Sequence, residues 1–153
     1  MMIRLETSAA VGIDNEQQTD VSVYDRNLAE VFARKHPKAV PRTTPSAMYN
    51  CHGMTFASRR TRIIDVGGIN QVLSDDRWIQ IDPREALPGD IVIYYDYEGD
   101  VNHSGVVVAS QNLLVPLICS KWGNGPEFVH SLKDCPELYG PETKFYRCRL
   151  GCK

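Results

Sequence analysis

The sequence has no surplus of charge of either sign. Seventeen Lys and Arg stand against 19 Asp and Glu, a formal net charge of −2 over 153 residues, so no general attraction to nucleic acid or to an anionic membrane is expected. The basic residues are dispersed, and their one run, Arg59-Arg60-Thr61-Arg62, reads as a solvated helix end. No apolar stretch approaches membrane-spanning length, which excludes insertion by a helix. The opening Met1-Met2-Ile3-Arg4-Leu5-Glu6 lacks the apolar centre of a signal peptide, so the chain is expected to be cytoplasmic as synthesised. Internal repeats and low-complexity tracts are missing as well. A hydrophobic content of 42% and a charged content of 24% are those of an ordinary globular protein, and the length suits one domain with a proper core.

Closely spaced metal-ligand pairs are nearly lacking too. Of the five cysteines, only Cys148 and Cys152 approach the two-to-four-residue spacing of zinc sites, while Cys119 and Cys135 are sixteen apart. No metal or cofactor site is assigned. Buried free thiols are the default for an intracellular protein, with disulfides expected only on export.

Patterning divides the chain. Residues 1–22 are polar and unpatterned, and are expected to form a loosely structured arm; 23–153 read as a single domain. A helix begins near Tyr24, with Leu28, Val31 and Phe32 at i, i+3 and i+4, Asp25 as candidate N-cap and His36-Pro37 as the stop. Lys38 to Ala47 reads as an extended connector whose Ser46 is a candidate cap for a helix carrying Cys51 to about Arg60. Gly67-Gly68 breaks the chain before a short helix around Ile69, Val72 and Leu73. From Pro88 the pattern turns to strands: 91–95, 103–110, 113–122 (interrupted by Pro116), 127–131 and 144–148. Helices first and an antiparallel meander afterwards predict an α+β domain with a sheet of about four to six strands.

The stretch with chemistry in it is Met48-Tyr49-Asn50-Cys51-His52-Gly53-Met54-Thr55-Phe56-Ala57. A thiol in the first turn of a helix faces unpaired N–H groups and the positive end of the dipole, and both favour thiolate. About fifty residues on, Pro88-Gly89-Asp90 leads into one hydrophobic strand and His103-Ser104-Gly105 opens the next. A helical cysteine and a histidine at the mouth of a neighbouring sheet form a nucleophile–base arrangement.

These pieces, in this order and over residues 45–130, resemble the papain-like cysteine peptidases and amidases of the NlpC and CHAP type. The resemblance implies a papain-like fold, a nucleophile at Cys51 and a base at His103. It also implies amide-bond cleavage without a cofactor, on a peptide or peptidoglycan-like substrate as endopeptidase or amidase. Many members have Asp-Cys-Ser-Gly where this chain has Asn50-Cys51-His52-Gly53. If a cell wall is the target, phage lysis or a secretion system must deliver the protein, which brings in a delivery partner or an immunity protein. Relatives of this fold also act on cytoplasmic proteins or lipids as proteases, deamidases or acyltransferases. A catalytically silent binding or immunity module on the same scaffold is the reading of another class.

A third residue is needed to orient the base. A hairpin turning at Gln111-Asn112 would put Ser120 opposite His103, and a shift of one residue would put Lys121 there; a lysine carries no acceptor for an imidazole N–H. His130, returned by a turn at Asn124-Gly125, is the preferred third residue, with Ser120 next. A backbone carbonyl or a water could also serve. In the mechanism, His103 as imidazolium protonates the leaving amine and later acts as base toward water. The backbone N–H of Cys51, with the side chain of Asn50 or Tyr49, is the expected oxyanion donor. His52 reads as a helix-surface residue in preference to a cleft residue. Trp122 is placed in the groove with the Tyr94-Tyr95-Tyr97 cluster, against the alternative that strand aromatics are core.

Overall fold

The computed structural model describes residues 1–110 and 115–149; the predicted turn at Gln111-Asn112 and Cys152 lie outside them. Three helices, α1 (Val23–Lys35), α2 (Cys51–Phe56) and α3 (Val66–Asp75), precede most of the sheet. The strands are β1 (Val40–Pro41), β2 (Trp78–Ile81), β3 (Ile91–Tyr95), β4 (Val101–Ala109), β5 (Leu117–Lys121), β6 (Glu127–Ser131) and β7 (Glu142–Cys148). They form one sheet in the order β1-β6-β5-β4-β3-β7-β2, with every pairing antiparallel. The α+β class stands, with seven strands where about four to six were expected. The short β1 and β2, read in sequence as connector and extended piece, occupy the two edges. No helix among the described residues is long and apolar enough to cross a membrane.

The alternation of β3 sorts the core. Val92 and Tyr94 face a cluster with Val107, Ile118, Trp122, Phe128, Phe145 and Tyr139, against which Phe32 and Ala33 of α1 pack. Ile91, Ile93 and Tyr95 face the other way, onto Ile63, Ile69, Val72 and Ala57. Beside the second cluster, Tyr49 and Met54 of the α2 region pack on Cys119 of β5.

Several local features differ from the sequence reading. Ser22, not Asp25, caps α1: its Oγ accepts from Asp25 N–H, and its hydroxyl donates to the Asp25 carboxylate at 2.8 Å. Asp25 is thus the third helical residue, bonded to the cap through both its N–H and its carboxylate. Helix α2 is only six residues long, because Ser58 and Arg59 adopt φ of 50° and 63° and turn the chain away. Residues 1–22 are docked, not loose. Ile13 is buried in the core, Asn15 exchanges two bonds with the Ile3 backbone, and Thr61 donates to the Asn15 side chain at 2.8 Å. Thr7 donates to the Asp75 carboxylate at the end of α3. A chain of mostly polar residues docks this way because its polar side chains satisfy backbone groups that packing would otherwise strand.

Candidate active site

Asn50, not Ser46, is the N-cap that sets up α2. Its Oδ1 accepts from Gly53 N–H at 2.9 Å and from Ile63 N–H at 3.1 Å, and its Nδ2 donates to Ile63 C=O at 2.8 Å. One side chain therefore starts the helix and ties it to the strand-like segment at Ile63. Gly53 is required by the same approach: a Cβ there would lie 1.8 Å from the carbonyl oxygen of Thr61. Of the two Nδ2 hydrogens of Asn50 one goes to Ile63 C=O, which leaves the second for the oxyanion role expected of it. Tyr49 has no such spare donor, because its hydroxyl donates to the buried carboxylate of Glu127. Arg59 grips the same carboxylate through Nε at 2.7 Å and one terminal nitrogen at 2.9 Å. Burial raises the Glu127 carboxyl, and the bonds from Arg59 and Tyr49 more than reverse this, to about 2. This cluster clamps both flanks of the nucleophile's turn to β6.

The motifs around the base have structural tasks of their own. The Asp90 carboxylate accepts from Leu87 N–H at 2.7 Å and pairs with Arg147 of β7. It thereby closes the Pro-Gly-Asp turn onto the next strand. A Cβ on Gly105 would lie 2.6 Å from the Ile118 side chain and 2.9 Å from the Cys119 carbonyl oxygen, so β4 and β5 can approach there only without a side chain.

Pairing of Val106 with Cys119 and Val107 with Ile118 extends to Gly105–Ser120 and Ser104–Lys121. Ser120 therefore lies opposite Gly105 and not His103, a shift of two residues that keeps its face. Since β5 ends at Lys121, His103 lies past the last β5 partner, on a stretch of β4 open on that side. The start of α2 uses this opening.

There Cys51, partly exposed, meets two histidines. Burial pushes its thiol up, but the charges and hydrogen bonds of His52 and His103 together carry it well below the ordinary thiol range. The lowering traces to the imidazoles, and a helix of six residues adds only a short dipole to them. His103 is 1% exposed. Its ring lies flat on Tyr139, with centroids 3.6 Å apart and planes 5° apart, and meets Tyr94 edge-on at 5.3 Å. Its Nε2 is buried without a hydrogen-bond partner among the described residues.

The preferred third residue is not joined to the base. His130 Nδ1 donates to the Ser131 carbonyl at 2.7 Å; its Nε2 therefore accepts from the Ser120 hydroxyl at 2.6 Å, which in turn accepts from Trp122 Nε1–H at 3.1 Å. Burial lowers His130 to about 4. Both ring nitrogens of His130 and the hydroxyl of Ser120 are thus spent on one another and on the backbone, and neither residue bonds to His103. Trp122 is core, stacked on Phe128 at 3.9 Å. What holds the plane of His103 is aromatic: Tyr139, from the β6–β7 connection, which no motif in the sequence announced.

His52 too lies elsewhere than the sequence reading put it. It is 4% exposed, and Nδ1 lies 2.8 Å from Ser104 Oγ. Lys121 is buried nearby. Its ammonium donates to the carbonyls of Ser46 at 2.6 Å and Gly123 at 2.8 Å, and burial lowers it to about 8.

Cys119 and Cys135 are free and buried, in different core clusters, whereas Cys148 is disulfide-bonded. No group of three or more His, Cys, Asp or Glu among the described residues is arranged to hold a metal ion. No protein-family model, curated protein or solved structure matches the chain.

Proposed function

We propose that this protein is a papain-like cysteine hydrolase that cleaves amide bonds, with Cys51 as nucleophile and His103 as acid and base. One observation carries the reading: the Cys51 thiol has two imidazoles beside it that hold it well below its ordinary range, against the effect of burial. A buried structural cysteine has the opposite tendency, as Cys119 and Cys135 do, both raised by burial to about 11. The thiolate attacks the carbonyl carbon, and imidazolium protonates the departing amine as the C–N bond breaks. Water then attacks the thioester, with imidazole taking its proton. The N–H groups of Cys51 and His52, at the first two helical positions, have no intrahelical acceptor and are the backbone donors available to the oxyanion.

The motif order Cys51, Pro88-Gly89-Asp90, His103-Ser104-Gly105 points to cell-wall peptide as the first substrate class to test, with cytoplasmic proteins or lipids next. The silent-scaffold reading has one observation in its favour, the unpartnered Nε2 of His103. The deciding experiment measures muropeptide release from purified peptidoglycan by wild type, Cys51→Ala and His103→Ala, together with iodoacetamide labelling of Cys51. Release by wild type alone supports the wall hydrolase. Fast labelling without release moves the substrate elsewhere, and sluggish labelling without release leaves only the silent scaffold.

A further inference from the structure

We propose that His52 is a second proton-transfer residue of this site, receiving the Cys51 proton at its Nε2 while Ser104 and Thr55 hold its tautomer. The inference rests on the hydrolase reading and moves the acid role of its first half from His103 to His52, leaving His103 the base of the second. The hydrogen-bond directions can be followed atom by atom. Thr55 Oγ1 donates its one proton to the Cys51 carbonyl at 2.9 Å. Ser104 Oγ donates its one proton to Thr55 Oγ1 at 3.0 Å. Ser104 therefore has only lone pairs to offer His52, so the 2.8 Å contact at Nδ1 is an N–H donated by the ring. The one basic lone pair left on His52 is at Nε2.

A histidine present only to fill space needs no such relay, least of all one that returns to the backbone of the nucleophile. The two imidazoles are prepared in complementary ways. His52 has a fixed tautomer, set by hydroxyls of β4 and α2. His103 has a fixed plane, set by Tyr139 and Tyr94, and an uncommitted Nε2. This permits a division of labour. The S–H bond of Cys51 breaks and an N–H bond forms at His52 Nε2; the thiolate attacks, and that proton goes to the leaving amine as the C–N bond breaks. His103, neutral through this half, takes a proton from water as its oxygen attacks the thioester. The C–S bond then breaks, and the proton passes from His103 to the sulfur. The other titratable groups acting on Cys51 are Lys121 of β5 and Tyr139 of the β6–β7 connection.

The test needs no substrate. Rates of iodoacetamide labelling of Cys51 are compared at pH 6 and pH 10 for wild type, His52→Asn, Ser104→Ala and His103→Ala. Asparagine retains a donor toward Ser104 but has no basic nitrogen, so it separates proton transfer from packing. Because alkylation follows the thiolate fraction, His52→Asn should label at least about tenfold more slowly than wild type at pH 6 and within about threefold of it at pH 10. Ser104→Ala, which frees the tautomer and leaves the ring, should shift the pH 6 rate in the same direction by about two- to fivefold, which keeps the test open if the asparagine variant folds poorly. His103→Ala should keep pH 6 labelling faster than that of an ordinary thiol, because His52 remains. Fast wild-type labelling that is unchanged in His52→Asn and Ser104→Ala overturns the role of His52 alone. Wild-type labelling at pH 6 no faster than a free thiol overturns the hydrolase reading and this inference together.

Discussion

Removing Arg59 should loosen the turn that carries Cys51 by way of the buried carboxylate of Glu127. Glu127 is buried, with its side chain 2% exposed, and its charge is held by Arg59 and the Tyr49 hydroxyl. Its folded-state carboxyl near 2, against an ordinary 4.5, corresponds to about 3 kcal/mol of stability at neutral pH. That contribution is complete above 4.5 and declines as pH falls toward 2, leaving about 1 kcal/mol at pH 3. Arg59→Ala strands the charge, although Tyr49 still donates and Arg59 is itself half-exposed. The expected loss is therefore about 2–3 kcal/mol at pH 7. Urea denaturation of wild type and Arg59→Ala at pH 7 and pH 3 measures both quantities, and the difference between the proteins should shrink at the lower pH. Since Tyr49 adjoins the Asn50 cap, Cys51 labelling should slow in parallel. A loss under about 1 kcal/mol, or one equal at the two pH values, would refute the view that this buried ion pair clamps the site.

Three further outcomes follow from the same geometry. Gly53→Ala drives a methyl group into the Thr61 carbonyl and should cost more than about 4 kcal/mol, read as a collapsed thermal transition and loss of rapid labelling. Tyr139→Phe should keep turnover and labelling within about threefold of wild type, since the stack needs only the ring. Tyr139→Ala removes the stack and a buried side chain, and should lower kcat by about tenfold or more and stability by about 3 kcal/mol, measured by steady-state kinetics and denaturation. Asp90→Asn, which weakens the tie to Arg147 and the Pro-Gly-Asp turn, should cost about 1–3 kcal/mol with labelling unchanged, read by denaturation beside the labelling assay.

Much of the fold was legible because its signals are local. The strand runs 91–95, 127–131 and 144–148 are rich in β-branched and aromatic residues and bounded by turn punctuation, and they lie where they were expected. What failed was set at long range. Helix α2 ends early because Arg59 is drawn back to Glu127, 68 residues away, and no propensity encodes that contact. The docking of residues 1–22 depends on Asn15 meeting Ile3 and Thr61, a polar match with no periodicity to betray it. That Cys51 and His103 come together was readable from spacing and neighbouring motifs. The third position was not, because the β4–β5 register is decided by Gly105 lying against Ser120 and not by the length of a hairpin loop. His52 was misread since an i, i+1 neighbour of the nucleophile looks solvent-facing on a helical wheel. Only the sheet, by supplying Ser104, turns it inward. Tyr139 carries no local signal at all.

The chain order has a bearing on when the proposed site is assembled. Cys51 is made early, whereas the histidine past the end of β5, the tyrosine stacked on it and the glutamate that clamps its turn all come later in the chain. At about 5–20 residues per second on the ribosome, His103 follows Cys51 by about 3–10 s, and Tyr139 follows later still. Through that interval the thiol lacks the His103 imidazole that helps to lower it in the folded chain. On the hydrolase reading, folding itself is the step that arms the site, because the thiol gains its full set of neighbours only when the central strands have closed around it.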